Sequence, residues 1–114
     1  MMGNHFERLA DQGALDNWIA RSYKEPVVVF KHSDACGISS RAYSEIARIN
    51  WPVGIVTVQT ERGISDEIES RFNLMHESPQ VLVLHNGEVV WSNSHGGIRA
   101  EALIAALERI GNRE

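Results

Sequence analysis

The chain has 114 residues, 43% hydrophobic and 23% charged, and carries a formal net charge of −4. That length suits one domain around one core, and the composition excludes fibrous, collagen-like and disordered classes. Basic residues occur only singly or in pairs, so the footprint a phosphate backbone requires is missing and no nucleic-acid partner is expected. No apolar stretch reaches signal-peptide or membrane-spanning length, so no membrane association is expected and the expected location is cytoplasmic. A single cysteine, Cys36, excludes an intrachain disulfide. Whatever Cys36 does covalently involves another molecule.

No repeat, low-complexity tract or linker interrupts the chain, so residues 1–114 are expected to form a single domain. Leu15, Trp18 and Ile19 fall at helical spacing behind Asp11, a suitable N-cap, and predict a helix from about Gln12 to Tyr23. The stretch from Phe6 to Leu9 is ambiguous. Pro26-Val27-Val28-Val29-Phe30 is a continuous apolar run rich in β-branched residues, as in a strand covered on both faces, and Val27 to His32 reads as a central strand. Ile38, Ala42, Ile46 and Ile49 then recur every three or four positions, giving a helix that should end before Pro52. Val53 to Gln59 reads as a second buried strand.

Ile64, Ile68 and Phe72 mark a short amphipathic helix closed near Asn73. Two apolar runs, Val81 to Leu84 and Val89 to Trp91, flank Asn86-Gly87, a pair at ease with positive φ and a strong signal for an antiparallel hairpin. Leu103, Ala106, Leu107 and Ile110 form a last helical stripe, stopped by Gly111. The order is helix, then β-α-β-α, then β-β-α. Right-handed crossovers between parallel strands, completed by the hairpin, give an α/β, thioredoxin-like fold with a mixed four-stranded sheet and helices on both faces.

Cys36 falls between the first central strand and the helix beginning near Ile38. Free amides and the positive end of a helix dipole favour a thiolate, which is the nucleophile, so Cys36 is the candidate catalytic residue. An inert buried cysteine is the alternative, but Cys36 stands in a turn with Asp34 and Gly37 rather than in an apolar run. Cys36-Gly37-Ile38-Ser39 has the spacing of a C-x-x-C redox motif with serine in the second place. Ser39 can hydrogen-bond to the thiolate or cap the helix, but it cannot resolve a mixed disulfide. His32 can lower the thiol pKa or shuttle its proton, or it is simply a packed histidine. Lys31 can attract an anionic thiol, or it is a solvated lysine. One Cys and five scattered His residues match no tetrahedral pattern, so no metal site is expected.

Phe30-Lys31-His32-Ser33 leading into Cys36-Gly37-Ile38-Ser39, then Glu77-Ser78-Pro79-Gln80-Val81, Asn86-Gly87 and Ser94-His95, resemble the monothiol bacilliredoxins, thioredoxin-like general stress proteins. The likeness runs from about Leu15 to Ile110, with one departure: the family commonly has proline at the position of Gly37. It implies removal of bacillithiol, or a similar small thiol, from S-thiolated client proteins, with Cys36 as the attacking thiol. It further implies a small thiol as co-substrate with no tightly bound cofactor. It also implies a cis Ser78-Pro79 bond, with the Ser78 backbone facing the substrate; Pro79 alone reads as a trans proline opening a strand. Ser78 and Pro79 are therefore candidate substrate-binding residues, and His32, Gly37 and Ser39 supporting ones.

The same Cys36-Gly37-Ile38-Ser39 also resembles the C-G-F-S motif of monothiol glutaredoxins. That alternative implies an iron–sulfur carrier in which two protomers and two small thiols hold a [2Fe–2S] cluster. Gly96-Gly97 lie farther from the hairpin than in glutaredoxins, and the Phe-Lys-His-Ser lead-in is not theirs. A non-catalytic adaptor on the same fold is the third reading. The oligomeric state is open.

Overall fold

The computed structural model describes residues 5–33 and 37–111, giving the backbone alone over 37–39. Strand β1 (Phe6–Arg8) leads to helix α1 (Gln12–Arg21), whose N-cap Asp11 accepts a hydrogen bond from the Ala14 amide at 2.8 Å. Strand β2 (Val27–His32) follows, then α2 (Gly37–Ala47), β3 (Val53–Thr57), α3 (Arg62–Phe72), β4 (Gln80–His85) and β5 (Glu88–Ser94). A short 3₁₀ turn over His95–Gly97 precedes α4 (Ala100–Gly111).

The sheet has five strands in the order β1-β3-β2-β4-β5, not the four expected. The extra strand is β1, which pairs in parallel with β3 through Phe6↔Val53 and Arg8↔Ile55. It is three residues long with Glu7 and Arg8 exposed at a sheet edge, too short and too charged to show a strand period. β2 and β3 are parallel, whereas β2–β4 and β4–β5 are antiparallel. The hairpin turn at Asn86 and Gly87 has φ of 56° and 78°, as a type I′ turn demands.

The central strand is buried on both faces. Val28 and Phe30 join Ala42 and Ile46 of α2 and Leu103 and Leu107 of α4 in one core cluster. Val27 and Val29 join Leu15 and Trp18 of α1 and Ile64 and Ile68 of α3 in the other. The period of two thus places α2 and α4 on one side and α1 and α3 on the opposite side. Helix α1 stops at Arg21, two residues before the expected end. Buried Ser22 leaves the helix to hold the hairpin turn, its carbonyl accepting from the Asn86 amide and its hydroxyl from the Gly87 amide. β3 likewise ends at Thr57 rather than Gln59, because the Thr60 and Glu61 amides turn back to the Thr57 carbonyl.

Candidate functional site

The site is built where β2 ends, where α2 begins and where the loop from α3 enters β4. Cys36 lies outside the described residues, and α2 starts at the next position, Gly37, with Ser39 also in its first turn. The Ser78-Pro79 bond is cis, in agreement with the family resemblance. Pro79 is buried, and its carbonyl accepts a hydrogen bond from the His95 amide at 3.0 Å. The Nε2 of His95 also meets Oε1 of Glu77, so one residue of the 3₁₀ turn holds this loop at two points. On its other side the loop is held by α3: the His76 amide donates to Glu69 at 3.0 Å, and the His76 ring contacts the Ser65 hydroxyl. Ser78 Oγ is buried with no hydrogen-bond partner among the described residues.

His32 faces α2. Its ring centroid lies 5.5 Å from that of Phe30 and 5.4 Å from that of Tyr43, which is the geometry of a packed aromatic neighbour. Ser33 accepts a hydrogen bond from Gln59 at 2.7 Å.

Lys31 is not the solvated lysine that a lone cation suggests. It is 0% exposed, and its Nζ has no hydrogen-bond partner among the described residues. The cause is register: Lys31 pairs with Val56 and Gln80 and continues the Val27, Val29 face, toward α3. Burial lowers its pKa below the ordinary lysine value, against the raising influence of Glu69 and Asp66. Burial first and the Lys31 charge second likewise lower that of His76. Gln80, opposite Lys31, donates from Nε2 to the Met75 carbonyl, while its Oε1 is buried without a described partner. A polar cluster under the cis-proline loop was therefore missed from sequence, although the parity of the Val-Val-Val-Phe-Lys-His run pointed to it.

A cavity of about 610 Å³ beside Ile49, Trp51 and Leu107 lies at the opposite end of the sheet from this loop. A smaller one, about 270 Å³, opens between α2 and the 3₁₀ turn at His95 and Gly96. Among the described residues no helix is long and apolar enough to cross a membrane.

The strand order, the two helical layers and the cis-proline loop at the start of β4, next to the end of β2, define a thioredoxin-fold protein. A solved thioredoxin-fold protein assigned as an oxidoreductase is similar at 33% identity and a TM-score of 0.82, over 89% of this chain and 92% of its own. Residues 7–103 match the family described as monothiol bacilliredoxin BrxC, and the chain belongs to that family. Thioredoxin from Fasciola hepatica shares the fold at 16% identity and a TM-score of 0.70, over 90% of this chain and 97% of its own. A mutant thioredoxin from Halobacterium salinarum does so at the same identity and TM-score, over 91% and 88%. Family and fold together give the chain a thiol redox role.

Proposed function

We propose that the protein removes bacillithiol, or a small thiol like it, from S-thiolated client proteins by monothiol exchange. The Cys36 thiolate attacks the small-thiol sulfur of the mixed disulfide, forming a new disulfide to Cys36 and releasing the client sulfur as a thiolate that takes up a proton. A second small thiol, as its thiolate, then attacks the capping sulfur. The products are the symmetric small-thiol disulfide and the Cys36 thiolate, so one protein sulfur suffices.

The observation that carries this reading is family membership over residues 7–103, joined to a cis-proline loop held in place on both sides. By the family resemblance the Ser78 backbone of this loop faces the substrate, where it suits the peptide-like part of a bound thiol, as one added strand. Ser39, as the third residue of α2, is not its N-cap, and one hydrogen bond from its hydroxyl contributes about 0.5–1.5 kcal/mol. The test follows release of bacillithiol, and in parallel glutathione, from a thiolated carrier protein with fresh small thiol as reductant. Cys36→Ser should abolish release, whereas Ser39→Ala should retain measurable turnover. Full activity in Cys36→Ser would refute the mechanism.

A further inference from the structure

The 270 Å³ cavity between α2 and the segment His95 to Arg99 is lined by two arginines from distant parts of the chain, Arg41 and Arg99. Neither guanidinium has a hydrogen bond or ion pair among the described residues, although the chain as a whole is acidic. The other charged groups of the cavity are engaged. Glu45 accepts from the Ala100 amide at 2.8 Å and pairs with Arg48 at 3.1 Å, while Arg48 also meets Glu101 at 3.6 Å and the Arg99 charge acts on Glu45 from the cavity side. His95 is held by Glu77. With two arginines to one carboxylate, the cavity lining carries a cationic excess, in a planar form suited to carboxylate recognition.

The position is as telling as the charge. Arg41 stands four residues after Gly37 on α2, about 6 Å along the helix axis and on the same face. His95, on the facing wall, is bonded through its amide to the Pro79 carbonyl. The cavity thus borders the cis-proline loop on one side and lies one helical turn from the start of α2 on the other. Gly96, also on its wall, would carry a Cβ with nothing within 4 Å, so the space beside it is open.

We propose that this cavity binds the carboxylate-bearing arm of the small thiol, with Arg41 and Arg99 as its anion-recognising residues; the assignment rests on the exchange reading above. A thiol carrying carboxylates a few bonds from its sulfur is then preferred to a neutral or cationic one of similar reactivity.

The decisive measurement needs no exchange chemistry. The ¹⁵N-labelled full chain is titrated with S-methylglutathione, whose sulfur is blocked, with S-methylcysteamine, which lacks carboxylates, and with inorganic phosphate. The expected result is saturable shifts at the Ala42, Gly96 and Ile98 amides with S-methylglutathione alone, weakening as salt is raised. Arg41→Ala and Arg99→Ala should each weaken binding roughly tenfold, with partial recovery in the lysine variants. Gly96→Leu should block the cavity while keeping both charges. Shifts absent from these amides, equal binding of the carboxylate-free probe, or phosphate bound as tightly as the capped thiol would overturn the assignment. Binding without exchange activity would refute the exchange reading alone. Exchange that is indifferent to thiol charge and to both arginines would refute the cavity alone.

Discussion

Replacing Lys31 by methionine should stabilise the protein. The ammonium at the end of this side chain is fully buried, and no described residue offers it a hydrogen bond. Glu69 and Asp66 attract it, yet burial outweighs them and lowers its pKa. A buried polar group left without a partner costs about 1–3 kcal/mol, and methionine fills the same volume with no charge to desolvate. The expected gain at pH 7 is therefore about 1–3 kcal/mol. For a domain of this size that corresponds to a rise in Tm of roughly 3–15 °C.

The pH dependence gives a sharper check. Because the folded-state pKa lies below that of the unfolded chain, the unfolded chain binds the proton more tightly between the two values. The penalty is present in full below the folded value and is relieved as pH rises toward about 10.4, the ordinary lysine value. Wild type should gain stability through that window, and Lys31→Met should not, so the two curves converge at high pH. Urea unfolding followed by tryptophan fluorescence from pH 6 to 10.5 measures both. A variant no more stable than wild type at pH 7, or a difference that stays constant with pH, would refute the buried-cation reasoning. The His76 ring supplies an independent readout, since losing the Lys31 charge should raise its pKa in an NMR titration.

Cys36 should have a thiol pKa below the ordinary value of about 8.5, because the helix begins at the next residue; alkylation rate against pH measures it, and an unshifted profile would refute the claim. Glu61 is only 4% exposed, and although burial raises its pKa, hydrogen bonds from the Thr57 amide, Arg8 and Thr60 lower it on balance. Its stabilisation is present above the unfolded carboxylate value of about 4.3 and lost as pH falls through the lower folded one, so Glu61→Gln should cost about 1–3 kcal/mol at pH 7 and much less at pH 3 by urea denaturation. Gly54→Ala places a Cβ 2.8 Å from Leu9 Cδ1 and 2.9 Å from Trp18 Nε1, whose hydrogen bond to the Val28 carbonyl fixes the indole. Overpacking there should cost about 1–3 kcal/mol, read as a lowered denaturation midpoint at unchanged slope.

The fold was legible wherever one residue type had one physical use. A β-branched run without alternation predicted β2 as a strand covered on both sides, and Asn86-Gly87 predicted a turn whose two positive φ angles are the reason for those residues. Ends of elements were less legible, because they depend on distant partners. Nothing local in Ser22 says that it will leave its helix to hold a turn sixty-odd residues on. The cis bond at Pro79 came from family resemblance, since proline alone favours the trans form. Arg41 and Arg99 lie far apart in sequence, and only the packing of α2 against the 3₁₀ turn makes them neighbours.

Lys31 and His32 show how far a sequence argument about a site can go before geometry divides it. Both precede the thiol by a few residues, His32 reading as a group that could act on it and Lys31 as one that could attract an anionic small thiol. Strand parity separates them, because adjacent residues of β2 point to opposite faces. His32 packs with Phe30 and Tyr43 on the side of α2, the helix that begins directly after Cys36. Lys31 is buried on the side of α3, opposite Gln80, where the cis-proline loop enters the sheet. Any influence of Lys31 on a bound thiol is therefore exerted through the loop side of the site, and any influence of His32 through the helix side. Two adjacent residues of one motif are two levers on different walls, and substitutions at these positions have no reason to compensate one another.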